Sequence, residues 1–297
     1  MGTNQDRMPS GEAILEPGRH AMRQSVISCE PVRLNVQHNN VQPGRTTILL
    51  VHGLGDSSAG WADAFAEDEL QGFNLLAPDL AGYGSSSRCS PVNGDFEAHV
   101  KRLWQVVDHF ADGPIVVVGH SMGGDITTLM CAGDQAGRIV GYVNVEGDLT
   151  PHDLFISGAA VRAAERGDFE RWFRDELIAN LAGPRGAPVR ESARRYCASL
   201  RRCDRRAFLA DARELVRRNT SACGACASEI GALYCELRLP KVFCWGTESL
   251  SAGTRELLAA RALEQRAFSG AGHALMIDRA GDFYPFLHEF VDRECRA

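Results

Sequence analysis

The pentapeptide Gly119-His120-Ser121-Met122-Gly123 sits between an apolar run, PIVVVG (114–119), and a run of helical character, DITTLMCA (125–132). A Gly-x-Ser-x-Gly segment at such a junction reads as a tight strand-to-helix turn. The crowding there excludes side chains from the neighbours and holds the serine in a strained backbone. That turn would lift the Ser121 hydroxyl to the carboxyl end of a sheet, beside the free N–H groups of a helix start. A hydroxyl is a poor nucleophile until a base takes its proton. His273, in FSGAGHALMID, follows a strand-like segment and precedes the last helix candidate, which places it in a loop at the same edge. His52 and His120 belong to the glycine-rich turns and read as structural, and the other histidines as tail, surface or packing residues. A Ser-His pair needs a carboxylate to orient the imidazole. Glu146 closes the apolar run IVGYVNV (139–145), where burying a carboxylate is costly unless it is paired. His273 is a suitable partner; the alternatives are neighbouring backbone N–H groups or rotation into solvent.

Acyl transfer also needs two N–H donors for the oxyanion, each contributing about 3 kcal/mol. Met122, directly after the serine, offers one. In LLVHGLGDSSAGW (49–61), His52-Gly53 follows a strand-like run and Leu54 offers the other. A glycine-rich turn without such a duty is the plainer reading for Gly55 and Ser57. Neither a Gly-x-Gly-x-x-Gly nor a P-loop spacing occurs here, so nucleotide binding has no support.

These residues need a scaffold that brings several strand ends together. TTILLV (46–51), FNLLAP (73–78), PIVVVG, IVGYVNV and KVFCWG (241–246) are nearly continuous apolar runs, as parallel strands covered on both faces require. Helix candidates lie between them. In FEAHVKRLWQVVDHF, Val100, Leu103, Trp104, Val107 and Phe110 recur at helical spacing. The alternation predicts an α/β fold with a doubly wound, mostly parallel sheet. SVISC and VRLNVQ are candidates for leading antiparallel strands. The expected organisation is a mobile tail over 1–22, a core over 23–147 and 237–297, and a helical insertion over 148–236. The insertion is rich in arginine with acids interspersed, which reads as a solvated helix surface and not a phosphate or nucleic-acid patch.

The chain has 297 residues, 44% hydrophobic and 24% charged, with a net charge of -6. That balance is ordinary for a globular protein and carries no electrostatic footprint for nucleic acid. No run approaches the roughly 18 apolar residues of a membrane span, and the N-terminus lacks a secretory core. A cytoplasmic protein with no membrane partner is expected. Met1-Gly2 begins like a myristoylation signal, but Asp6 replaces the required hydroxyl residue. The ten cysteines are then expected to be reduced, and Cys223 and Cys226 form a lone Cys-x-x-Cys with no second pair.

HGLGDSS, GHSMGGD and GHALMID, in this order, resemble the α/β-hydrolase superfamily across about residues 30–295. The resemblance implies that the 148–236 insertion is a cap over the active site, and that no metal and no organic cofactor are needed. Serine at the nucleophile position disfavours the haloalkane dehalogenases and epoxide hydrolases of that superfamily. In most members the acid follows the strand before the last, here KVFCWGTESLS; Ser249 occupies that place and Glu248 lies one residue early. A minority carry the acid one strand earlier, where Glu146 stands, and this layout is similar to that of the zearalenone-type lactone hydrolases. Glu146 is preferred and Glu248 is the alternative; Asp148 is a weaker rival, and Asp278 reads as a helix cap. The expected activity is cofactor-independent hydrolysis of a carboxylic ester or lactone of a small organic molecule. The alternatives are a thioesterase or C–C bond hydrolase with the same triad, or a non-catalytic ligand receptor. Gly53, Trp61 and Trp172 are candidate substrate contacts, with Tyr83, Phe155 and Phe173 as further pocket candidates.

Overall fold

The computed structural model describes residues 22–88, 95–182, 189–221 and 228–296. Its centre is one eight-stranded sheet, built from β1 (Arg23–Cys29), β2 (Val32–His38), β3 (Thr47–Val51), β4 (Asn74–Pro78), β5 (Ile115–His120), β6 (Ile139–Val145), β7 (Lys241–Gly246) and β8 (Gln265–Phe268). The spatial order is β1-β2-β4-β3-β5-β6-β7-β8. β2 pairs antiparallel with both β1 and β4, and every other pair is parallel. The segments SVISC and VRLNVQ thus lie in the antiparallel edge, and the five apolar runs form the interior.

The residue types account for this arrangement. Every residue of β3, β4 and β5 is buried, as expected for parallel strands covered on both faces. Side chains alternate between two cores: Ile115 and Val117 of β5 face one, Val116 and Val118 the other. The first core is closed by the helices Phe96–Phe110 and Met122–Ala132, through residues such as Leu103, Val107 and Ile126. The second is closed by the 3-10 helix Ser58–Phe65 and the long helix Ala280–Arg296, through Trp61, Phe65, Tyr284 and Phe290. Asp95 caps the helix Phe96–Phe110 by accepting from the Glu97 N–H.

Among the described residues, the chain between β6 and β7 forms helices and no strand. After the short turn Pro151–Asp153 come Phe155–Glu165, a stretch from Phe169 to Ala182 wound as a π-helix over Trp172–Leu177, then Glu191–Leu200, Arg205–Thr220 and Glu229–Glu236. These helices contact the loops that follow β3 and β4. The Tyr196 hydroxyl donates to the Leu54 carbonyl at 2.8 Å, Arg195 grips Asp63, and the Tyr83 hydroxyl donates to Asp211 at 2.5 Å. Most arginines of this region are exposed and paired with acids, but Arg218 is 3% exposed and bonds Glu97, Glu214 and Glu229. It is a buried tie between this region and the helix Phe96–Phe110, because a guanidinium removed from water needs its donors filled. The tail expected over 1–22 lies outside the described residues up to position 21, as do Cys223 and Cys226.

Candidate functional site

Ser121 has φ 53° and ψ −127°, a conformation that side chains rarely adopt. Packing imposes it. A Cβ on Gly119 would lie 2.2 Å from Thr127 Oγ1, and one on Gly123 would lie 2.4 Å from the Val51 carbonyl oxygen. The turn is pinned by the Ser121 N–H donating to the Val145 carbonyl at 2.9 Å and by the Gly124 N–H donating to the Ser121 carbonyl at 2.6 Å. Met122 opens the helix that follows, so its N–H belongs to the first turn, whose donors have no partner within the helix.

Glu146 follows β6 and also has a positive φ, 51°. The turn is fixed from beneath: Asn144 Oδ1 accepts the Gly147 N–H at 2.7 Å, and Asn144 Nδ2 donates to the Tyr142 hydroxyl, which itself donates to the Gly124 carbonyl at 2.6 Å. One buried tyrosine thus joins the Glu146 turn to the Ser121 turn. Glu146 is 5% exposed. Its Oε1 accepts from the Gly246 N–H at 2.7 Å and from the Ser249 hydroxyl at 2.5 Å, and its Oε2 lies 2.7 Å from His273 Nδ1. Glu248 goes elsewhere: it is half-exposed and bonds Arg190.

A carboxylate can only accept, so His273 Nδ1 carries the proton and Nε2 is left as the ring's lone pair. Desolvation lowers the His273 pKa, but the Glu146 hydrogen bond and charge, with Asp153 and Asp56, outweigh it and raise it above the usual histidine value. The loop around His273 is fixed by a second histidine. His120 Nε2 donates to the His273 carbonyl at 3.0 Å, and the two rings lie 4.8 Å apart. Burial, then the nearby His273 charge, push the His120 pKa well below the usual value, which keeps it neutral. His52 is fully buried, and its Nε2 accepts the Leu80 N–H at 3.0 Å while Nδ1 donates to the Gly53 carbonyl at 2.8 Å. It braces the turn that carries Leu54.

Ser121, Glu146 and His273 open into one cavity of about 370 Å³, together with Gly53 and Leu54. Most of the remaining wall is apolar, with Phe155, Ile156, Leu181, Leu250 and Ile277 among its residues. A Cβ on Gly53 would lie 2.9 Å from the Ser121 Cβ, so the serine needs glycine there. Two expected contacts fall outside this wall. Trp61 is fully buried beneath His120 and beside Phe283, because its 3-10 helix turns it into the second core. Trp172 packs on Phe169 among the helices, and Tyr83 and Phe173 are likewise core residues. Asp278 lines the cavity, accepts from the Ser192 hydroxyl at 2.6 Å and from the Gly272 N–H at 2.9 Å, and bonds Arg190. Sequence reasoning missed Asp56, Tyr196 and Arg190 in the wall, none of which carries a local signal. It read Ser249 only as a missing acid, although its hydroxyl holds Glu146. Among the described residues, no three or more His, Cys, Asp or Glu side chains are arranged to hold a metal ion, and no helix is long and apolar enough to cross a membrane.

Comparison with known proteins follows the same lines. A family model described as alpha/beta hydrolase fold matches residues 46–280. Lipase LipV of Mycobacterium tuberculosis is 34% identical over 99 residues, which are 33% of this chain and 36% of the lipase. The match therefore spans about a third of that relative's length. Among solved structures, a carboxylesterase of the thaumarchaeon Nitrososphaera gargenis superposes with a TM-score of 0.70 at 15% identity, over 92% of this chain and 99% of that one. The N-acyl homoserine lactonase AidH, complexed with N-butanoyl homoserine, gives 0.68 at 18% identity, over 93% and 98%. At these identities the likeness is one of fold.

Proposed function

Because the chain belongs to the alpha/beta hydrolase fold family, we propose that it is a serine hydrolase cleaving a carboxylic ester or lactone of a small organic molecule. The observation that carries this reading is the 2.7 Å contact of Glu146 with His273 Nδ1, made at the edge of the cavity that Ser121 also lines. With Nδ1 committed to Glu146, Nε2 is the atom free to take a proton.

In the first half-reaction the Ser121 hydroxyl oxygen adds to the substrate carbonyl carbon while His273 Nε2 takes the hydroxyl proton. The Leu54 and Met122 N–H groups donate to the resulting oxyanion. Collapse of the intermediate breaks the carbon–oxygen bond to the alcohol, which leaves with the proton from Nε2, and the acyl group remains on Ser121. Water then adds to the acyl carbon, giving its proton to Nε2. Collapse of that intermediate releases the acid and returns the proton to Ser121. Glu146 stays ionised throughout, stabilises the imidazolium at each addition step, and orients the ring. The helices over 148–236 act as the cap and supply much of the apolar wall. No metal or organic cofactor enters this scheme. Ester and lactone activity elsewhere in the fold, in a carboxylesterase and a lactonase, is consistent with it.

A fluorophosphonate probe tests the reading directly. Covalent labelling of the folded protein that disappears in Ser121→Ala is expected. Absence of labelling, with no turnover of any activated ester, thioester or lactone, would overturn it.

A further inference from the structure

Five carboxyl groups line the cavity, those of Asp56, Glu146, Asp148, Asp153 and Asp278. Among the described residues the cavity has one arginine, Arg190, and it is already bonded to Glu248 and Asp278. Three of the five acids have a hydrogen-bonding role. Glu146 holds His273, Asp278 accepts from Ser192 and Gly272, and Asp153 accepts from the Thr150 N–H and from the hydroxyls of Thr150, Ser251 and Thr254. Asp56 lies against Ser199 and the backbone at Ser57, with its Oδ1 enclosed and without a hydrogen-bond partner.

Asp148 differs. It is 5% exposed, and among the described residues its backbone N–H is bonded, to Asp125 Oδ1 at 2.9 Å, while no donor reaches its carboxyl oxygens. Leaving a buried carboxyl without partners costs more than a hydrogen bond is worth, unless something else fills it. The groups that face it are Asp125 from the helix after β5, Asp153 from the following turn and Glu146 from the end of β6, all of them acids. Burial first, then the proximity of these three acids, push its pKa well above the usual carboxylate value. A carboxyl in this setting holds its proton to higher pH than usual, and while protonated it can donate as well as accept.

We infer that Asp148 binds substrate, donating a hydrogen bond to a carbonyl, ether or hydroxyl oxygen of an uncharged ester or lactone, and that the cavity turns away carboxylate-bearing substrates. The inference rests on the serine-hydrolase reading and narrows its substrate class. The negative lining explains the second half: among the described residues, an anion would meet acids on several sides with no free cation to receive it. The first half explains why a polar side chain is kept, unfilled, in a largely apolar wall. A site built to hydrogen-bond one substrate oxygen discriminates strongly against an analogue lacking it.

The test uses size-matched activated esters that carry an extra carbonyl oxygen in the acyl chain, in the alcohol, or nowhere, together with carboxylate-bearing and trimethylammonium-bearing counterparts. For the wild-type protein, kcat/KM is expected to be at least about tenfold higher for one of the oxygen-bearing neutral esters than for the plain ester, and about a hundredfold lower for the carboxylate ester. In Asp148→Leu the oxygen-over-plain ratio should fall about tenfold, while Asp148→Asn, which still offers a donor, should recover most of it. Asp148→Asn should leave the rejection of the carboxylate ester intact, since it removes no charge. Equal losses on all esters would mark Asp148 as structural and overturn the inference. A wild-type preference for the trimethylammonium ester that Asp148→Asn abolishes would overturn it too, by showing a charged carboxylate. If the wild-type protein labels with fluorophosphonate and turns over the plain ester, either failure leaves the serine-hydrolase reading standing; if it does neither, both fall.

Discussion

Glu146 and His273 are separated by 127 positions in the chain and meet at 2.7 Å, with the carboxylate 5% exposed and its second oxygen held by Gly246 and Ser249. Two residues so far apart reach this distance because β6 and β8, the parallel strands on either side of β7, deliver them to one edge of the sheet. Replacing Glu146 by Gln keeps the shape but offers His273 the wrong partner, so kcat on an activated ester should fall by about three to four orders of magnitude. Glu248→Gln, which breaks only an exposed pair with Arg190, should stay within a few-fold of wild type. Side-by-side kinetics with one p-nitrophenyl ester decide between the two glutamates, and a large loss confined to Glu248→Gln would reverse the assignment.

The serine at 249 gives a second, independent prediction. Its hydroxyl donates to Glu146 Oε1 at 2.5 Å, alongside the Gly246 N–H. Removing one charge-assisted bond of about 1.5 kcal/mol should lower kcat about tenfold in Ser249→Ala, with KM little changed. The double variant Glu146→Gln with Ser249→Asp should exceed Glu146→Gln alone by at least about tenfold, because an acid is restored within reach of the same imidazole. A double variant no faster than the single one would show that position 249 cannot reach His273.

The pH profile follows from the direction in which His273 is shifted. Only the neutral imidazole accepts a proton, so activity should rise through the His273 pKa, and the acid limb of kcat/KM should lie above the ordinary value of 6.5. In Glu146→Gln the residual activity should show that limb moved to lower pH, since the contact that raises it is gone. For stability the sign is opposite. A histidine raised on folding contributes its stabilisation fully below the unfolded value, and loses it as pH rises through the folded one. Activity and this part of the stability should therefore trade places across the same window.

Asp125 makes a prediction about stability alone. It is fully buried, and burial raises its pKa from 3.8 to about 8 against the hydrogen bonds from Asn219 and the Asp148 N–H, which lower it. The folded chain thus keeps a proton that the unfolded chain releases near pH 4, so this group makes stability fall as pH rises from about 4 to about 8. Asn219 Nδ2 lies 2.6 Å from Asp125 Oδ2, while Asn219 Oδ1 is buried without a partner. Rotating that amide would aim Oδ1 at a protonated Asp125, or at the amide of Asp125→Asn. Thermal melts should show Asp125→Asn gaining stability relative to wild type between pH 5 and 8. A difference that does not change with pH would contradict the buried proton.

The order of strands and the places of Ser121 and His273 were legible because they rest on local patterns: apolar runs, a glycine-flanked serine, a histidine in the last loop. Glu146 was legible for a related reason, since an acid at the end of a buried run needs a partner. The tryptophans were not. Trp61 lies in a 3-10 helix, whose three-residue turn matches neither the α-helix nor the strand period, and that helix carries it under the sheet. Contacts such as Tyr196 with Leu54, 142 positions apart, or His120 with the His273 carbonyl, 153 apart, leave no trace in either neighbourhood. They depend on how the helices settle on the sheet edge, which spacing within one segment does not encode.

The 2.5 Å separation of Ser249 Oγ from Glu146 Oε1 also constrains descent. A lineage that moved its acid from one strand end to the next could not hold both charged, because carboxylates in contact force one to take up a proton. The two positions should therefore covary among relatives of this chain: an aspartate at 249 should accompany a non-acid at 146, and a glutamate at 146 a small hydroxyl or neutral residue at 249. Sequences with both acids, if they occur, should carry them as a proton-sharing pair with an activity optimum shifted toward acid.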